Sequence, residues 1–469
     1  TSYVRGAWIG ATVSLAILVF AYFRARSGSD MRLTGLDRGF IGGAALVSAA
    51  AVVGSSLRPD SVRNVVSRVA SIFEFGEGSA LTRFQIWEAA RAAIAERPIL
   101  GWGADTFRLL FPMFKPAEYV EAAGYLSVAD NVHNYPLQLA SGIGIPGALL
   151  LYGLIAYALI SSARDALARG KGTERLLLAG FWAAVVGYVV HLLFGLSVTG
   201  STIFLWLSMG VLLSPSGHAL EVRAPSWRGI AAGVVAAVVL VGTVLNVQYI
   251  VADNHYLKGR AIYSGAQSVA EIERAIELNP YNDMYRLELG ATWQRIFRAN
   301  AEELRQKLLA GEQDQALAQE TMDALTNAET AYRNTIEYVP NEYDTYVFTA
   351  NLYNEASLLF DRSYSEKAIS VGELGVMVEP YGPAIRVQLG LAYMTTGNID
   401  KAIEHLEVAT SLDSDYMAAF TLLAQAYQAA GRVEEARAAA QHILDRDPTN
   451  SDALGVMQSL DASATTTTP

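Results

Sequence analysis

LTRFQIWEAARAAIAERPILGWGADTF (81–107) and DNVHNYPLQLASGIGIPG (130–147) open and close a single polar loop between two apolar stretches. Residues 80–96 are helix formers almost throughout, and Pro98 ends the run because the residue before a proline is driven out of the helical region. PILGWG at 98–103 then reads as a tight turn whose glycines supply backbone angles closed to other residues. For Gly101 the structural role is the favoured reading, and Gly103 is left open to close approach by a ligand. Pro136 suits the first turn of a helix, so His133 falls just where the chain re-enters an apolar segment.

Working outward, apolar runs at 8–23, 40–57, 136–161, 176–196, 202–213 and 229–250 predict membrane spans, the fifth of them short for a bilayer core of about 30 Å. The loops after the first and third spans are short and rich in arginine, which makes them cytoplasmic. Counting crossings from there puts residues 1–6, the 58–135 loop and everything after 250 outside. Within the loop, Val62, Val65, Val66, Val69, Ile72 and Phe73 recur at helical spacing and predict an amphipathic helix, either on the membrane surface or packed on its own domain.

The 469 residues are 52% hydrophobic, too apolar for an ordinary soluble chain of this length. Charge divides them. Residues 1–252 hold 19 Lys+Arg against 14 Asp+Glu, whereas residues 253–469 hold 16 against 32. A basic membrane domain (1–252) therefore precedes an acidic soluble one (253–461), with a Thr-rich tail (462–469) expected to be disordered. Cysteine is absent, which excludes a disulfide framework and thiolate metal sites. The chain starts at Thr1 and runs almost at once into an apolar span, so it is expected to be an N-terminally truncated fragment.

The acidic half repeats. Pro380, Ser414 and Pro448 are spaced by 34 residues, as are Tyr393 and Tyr427, and Gly397 and Gly431. Each unit reads as helix, glycine turn, helix, which resembles tetratricopeptide repeats. Residues 302–337 break the period and predict longer helices or an insertion. Stacked repeats present a concave groove suited to a protein partner, and the acidic charge argues against nucleic acid.

The candidate chemistry lies in the basic half. Arg83 and Trp87 are four residues apart and share one helix face, where the indole could hold the guanidinium by a cation–π contact; packing of a surface arginine is the plainer alternative. Arginine suits a phosphate clamp because its planar fork stays charged and binds oxygens in pairs. Arg5, at the outer edge of the first span, either snorkels or joins that clamp. His133 is the only histidine of the outer loop and titrates near working pH, as a general base must, though an interfacial histidine is often just solvated. His191, inside a span, reads first as a helix-to-helix hydrogen bond. There is no His-x-x-x-His pair, Walker loop or GxSxG elbow, and the loop's acids form no metal motif.

Arg5 in YVRGAW, Arg83 with Trp87, PILGWG, and HNYPLQ followed by Gly142, Gly144 and Gly147 together resemble the O-antigen ligase and polymerase superfamily over about residues 1–213. The resemblance implies an all-α protein: a polytopic transmembrane domain like that of the C-type glycosyltransferases, followed by the repeat solenoid. It implies transfer of a glycan from an undecaprenyl diphosphate carrier to an acceptor glycan, lipid or protein, with inversion, no metal and no cofactor, at the outer face of a bacterial plasma membrane. His133 would be catalytic, Arg5 and Arg83 would bind the diphosphate, and Trp87, Gly101, Gly103 and Asn134 would support them. Polysaccharide polymerase and protein O-oligosaccharyltransferase are the neighbouring readings, and a non-catalytic membrane-anchored repeat scaffold is the reading of another class.

Overall fold

The computed structural model describes residues 5–26, 79–125, 127–167, 173–214 and 225–466. The second expected span at 40–57 and the amphipathic helix at 62–73 lie outside them. The described residues are helical, with no strand among them. They fall into two compact units, residues 1–221 and 222–469.

In the first unit, α1 (Arg5–Arg26), α5 (Tyr135–Leu167), α6 (Thr173–Leu192) and α7 (Thr199–Leu213) are the apolar helices. The loop contributes α2 (Ser79–Glu96), α3 (Phe107–Phe114) and α4 (Ala117–Ala123). Of the apolar helices, α5 is long enough to cross a bilayer alone; α1, α6 and α7 hold shorter apolar stretches. Glycines let α1 and α6 approach closely, as is usual where helices pack without water. A Cβ on Gly10 would sit 2.3 Å from the Gly187 carbonyl oxygen, and Ser14 Oγ donates to the Ala183 carbonyl at 2.9 Å. Ile155, Val185, Leu205 and Met209 form the core between α5, α6 and α7.

The loop folds on itself and then onto α5. Ile86, Ala90, Phe107, Phe111, Tyr119 and Val132 make its core. The helix α5 breaks at Gly144 (φ 77°) and carries Pro146. An unbroken helix would bond the Ser141 and Gly142 carbonyls to the next turn, but Pro146 has no N–H and the Ile145 N–H points elsewhere. The PILGWG turn replaces what is lost. Trp102 N–H donates to the Ser141 carbonyl and Gly103 N–H to that of Gly142, both at 2.9 Å, while Ile145 N–H donates to the Pro98 carbonyl at 2.8 Å.

The second unit begins with α8 (Pro225–Ile262), whose stretch from Ala232 onward is the other helix long and apolar enough to cross a membrane. The expected domain boundary at 252 lies inside this unbroken helix. Its last turns pack on α9 (Ala266–Leu278): Gln248 donates to the Leu278 carbonyl at 2.7 Å, and His255 Nδ1 lies 2.5 Å from a Glu271 carboxylate oxygen.

Helix pairs follow. They are α10 (Asp283–Leu309) with α11 (Gln315–Tyr338), α12 (Tyr343–Leu359) with α13 (Tyr364–Val378), α14 (Pro383–Thr396) with α15 (Ile399–Leu412), and α16 (Met417–Ala429) with α17 (Val433–Leu444), closed by α18 (Ser451–Thr466). The irregular stretch at 302–337 is accounted for by the long α10 and α11, not by an inserted element. Gly397, left-handed at φ 82°, ends α14, and the Asn398 side chain caps α15 by accepting from Lys401 N–H. Successive pairs are tied by tyrosines: Tyr353, Tyr393 and Tyr427 donate to Glu329, Glu373 and Glu407 at 3.0, 2.9 and 2.6 Å. The tail expected to be disordered from 462 continues α18 as far as Thr466, where Ala462 and Ala464 favour helix. Residues 467–469 lie outside the described part.

Candidate functional site

The cavity that matters lies in the first unit and has a volume of about 660 Å³. The loop lines it with Arg83, Asn131 and His133. The apolar helices line it with Gly10 and Ser14 of α1, Gly187, Tyr188 and His191 of α6, and Ser201 of α7. Arg83 stands in the first turns of α2 and His133 immediately before α5, so 50 residues of chain separate two side chains that share this space.

His133 is placed by an uncommon backbone geometry. Its φ is 52°, in the left-handed region that non-glycine residues seldom occupy. Asn131 stabilises it by accepting the His133 N–H at 3.1 Å. Val132, fully buried, is held from both sides: its carbonyl accepts the Trp87 indole N–H at 3.0 Å, and its N–H donates to the Gln138 side chain at 2.9 Å. On the other flank, Asn134 caps α5 by accepting Leu137 N–H at 3.1 Å, and its amide donates to the Leu193 carbonyl at 3.0 Å. The residues on either side of His133 thus tie it to α2, to α5 and to the end of α6.

Burial lowers the His133 pKa below the usual 6.5, and the Arg83 guanidinium lowers it further; Asp130 opposes them. The causes are direct. Removing water disfavours the imidazolium, and so does a neighbouring cation. The ring is therefore neutral at pH 7, with a lone pair available to accept a proton.

Trp87 takes a different part from the one expected. Its indole serves Val132, and Phe84 packs edge-on against it at 5.2 Å. The cation–π contact of this region, among the described residues, is Arg97 over Trp102 at 3.9 Å. The reason is energetic: an indole N–H is worth more on a buried carbonyl than its ring is on a half-buried cation.

Gly101 and Gly103 are backbone pieces of the docked turn. A Cβ on Gly101 (φ 69°) would fall 2.5 Å from the Gly142 backbone, and one on Gly103 (φ 120°) would meet only Thr106 at 3.0 Å. Neither they, Trp87 nor Asn134 are among the described residues that line the cavity; Trp87 and Asn134 hold the residues on either side of His133. Arg5 opens α1, and its side chain lies outside the described part.

Residues 1–152 match the family model described as O-antigen ligase, and residues 393–460 match that of the tetratricopeptide repeat. The chain thus carries a region similar to O-antigen ligases ahead of one similar to tetratricopeptide repeats. The ligase match covers Arg5, Arg83 and His133, and it ends inside α5. No curated protein matches the sequence. Among solved structures, a thermophilic tetratricopeptide protein of Thermus thermophilus is 22% identical over 45% of this chain and 98% of its own, with a TM-score of 0.32. MamA is 16% identical over 44% and 93%, also at 0.32. YrrB, described as a repeat protein with an unusual peptide-binding site, is 14% identical over 41% and 82%, at 0.30.

Sequence reasoning gave His191 mainly a packing role and did not single out Tyr188, Ser14 or Ser201. The available signal was faint: polar side chains in apolar helices, with Gly187 and His191 one turn apart.

Proposed function

We propose that this chain is a membrane glycosyltransferase that moves a glycan from an undecaprenyl diphosphate carrier to an acceptor hydroxyl at the outer face. The observation that carries the reading is the shared cavity: a cation and a neutral histidine, brought together from two ends of the loop within the region that matches the ligase family. His133 takes the proton of the acceptor hydroxyl as its oxygen attacks the anomeric carbon. The bond from that carbon to the diphosphate breaks, and the electron pair leaves with undecaprenyl diphosphate. Arg83, with Arg5, holds the charge that builds there, and the low dielectric of a membrane site strengthens the hold. Attack from the face opposite the diphosphate inverts the sugar.

The 1–252 domain is then polytopic, and the repeats stand on the outer side as a surface for a protein partner. Ligase and polymerase share this chemistry and differ in acceptor. A pure scaffold would leave a neutral histidine beside an arginine without a task.

The test is glycan transfer in membranes carrying the full chain. His133→Ala should reduce transfer about 10²–10⁴-fold while binding of the lipid-linked donor persists. Arg83→Lys should also be damaging, because an ammonium keeps the charge and loses the fork. Near-normal transfer by His133→Ala, with expression verified, would remove it as the base.

A further inference from the structure

The side of the cavity supplied by the apolar helices carries polar groups with no part in the chemistry above. His191 Nδ1 is buried and has no hydrogen-bond partner among the described residues. A ring nitrogen left unpaired in such a place is costly and calls for a partner that arrives with a ligand. Its ring lies 5.9 Å from that of Tyr188. The Tyr188 hydroxyl lies 2.8 Å from Ser197 Oγ and 2.7 Å from Ser201 Oγ, and Ser197 Oγ is 2.5 Å from Thr202 Oγ1. Gly195 packs against the imidazole, where a Cβ would fall 2.8 Å from His191 Cε1, so any larger residue there would displace the ring. The cavity of about 660 Å³ is thus lined by the Tyr188 and Ser201 end of this hydroxyl chain and by the ring of His191.

We propose that His191, with the Tyr188 and Ser201 hydroxyls, binds the sugar of the lipid-linked donor, His191 Nδ1 accepting a hydrogen bond from a sugar hydroxyl. The ligand class follows from the chemistry. Phosphate would seek the arginine, and an acyl chain would leave the acceptor unpaired. A polyhydroxylated ring satisfies both the vacant nitrogen and the hydroxyl chain, and it stacks its apolar face on tyrosine. His191 is thus a specificity residue, not a proton carrier. The inference rests on the glycosyltransferase reading but concerns the sugar, whereas that reading concerns the diphosphate and the base.

The experiment measures binding of two probes to the full chain in lipid nanodiscs: undecaprenyl diphosphate alone, and undecaprenyl diphosphate carrying one N-acetylhexosamine. The unsubstituted protein should bind the glycosylated probe more tightly. His191→Ala should lose about three- to tenfold of that binding, the worth of one hydrogen bond, and leave the bare probe unchanged. His191→Asn, which keeps a side-chain acceptor, should recover part of it. Three results would overturn the proposal: no preference for the glycosylated probe, a preference that survives His191→Ala, or equal weakening of both probes, which marks a packing role. Arg83→Ala serves as the separate control. If it leaves the bare probe's binding untouched, the diphosphate clamp fails whatever His191 does.

Discussion

The helices α5 and α8 are the two described helices long and apolar enough to cross a membrane, at 33 residues and, from Ala232, 31 residues. Composition hardly separates them, yet they are built for different work. In α5, 17% of the apolar stretch is buried; in α8, none is. α5 breaks at Gly144, takes the PILGWG turn into the break, and starts on the cap that orients His133. α8 runs unbroken, with Val234, Val238 and Val241 more than half exposed around it and nothing within 4 Å of a Cβ on Gly233 or Gly242. Among the described residues nothing covers the apolar stretch of α8, whereas part of that of α5 is buried by its own unit. Hydrophobic length decides that both can cross; placement of glycine decides which of them is also a scaffold for a site.

The sharpest way to break this contrast is Gly144→Val. The new Cβ would lie 1.9 Å from the Ile99 carbonyl oxygen, in a left-handed conformation that a branched residue resists. Strain and lost docking together should cost about 3 kcal/mol or more. The expected outcome is a steep fall in folded protein recovered from membranes, read by thermal unfolding in detergent.

A smaller effect is expected from pH. The folded His133 has a pKa below the unfolded value of about 6.5, because burial and Arg83 disfavour its charged form. The unfolded imidazole therefore takes up a proton first. Stability at this site is complete above pH 6.5 and is lost as pH falls from there through the lowered pKa. Transfer should be level near neutrality and then drop about tenfold per pH unit below that pKa, since only the neutral ring is a base. A pH–rate profile with its acid limb above 6.5 would contradict the geometry.

Trp87→Phe removes the N–H on the Val132 carbonyl and keeps most of the ring. It should cost about 1 kcal/mol of stability and lower transfer without weakening binding of the donor diphosphate. A variant that instead loses diphosphate binding would return the indole to Arg83. The smallest effect belongs to Gly242→Ala in α8, where added bulk meets open space. A change within about 0.5 kcal/mol and unaltered transfer are expected; a large loss would mean that α8 packs on protein there.

Much of this was legible in the chain. Local rules are enough for the helix at 80–96, which ends where Pro98 requires it; it is observed as Ser79–Glu96. They are enough for the 34-residue repeats, because each pair buries its face on its neighbours and so reads alike. They also place His133 just ahead of a proline-started helix.

What the sequence by itself determined is therefore the order of parts: apolar helices, a loop carrying Arg83 and His133, and a solenoid of helix pairs. Tertiary structure alone decided what those side chains meet. The Trp87 indole reaches Val132, 45 residues away. Gly101 docks on Gly142 and Gly144, and His191 joins Arg83 and His133 around one cavity. Periodicity and propensity act over one or two turns, whereas hydrogen bonds to backbone carbonyls and backbone-to-backbone approach depend on which chain segment arrives. That selection is made by packing and by the need to satisfy every buried polar group, and it leaves no local trace in the residues that take part.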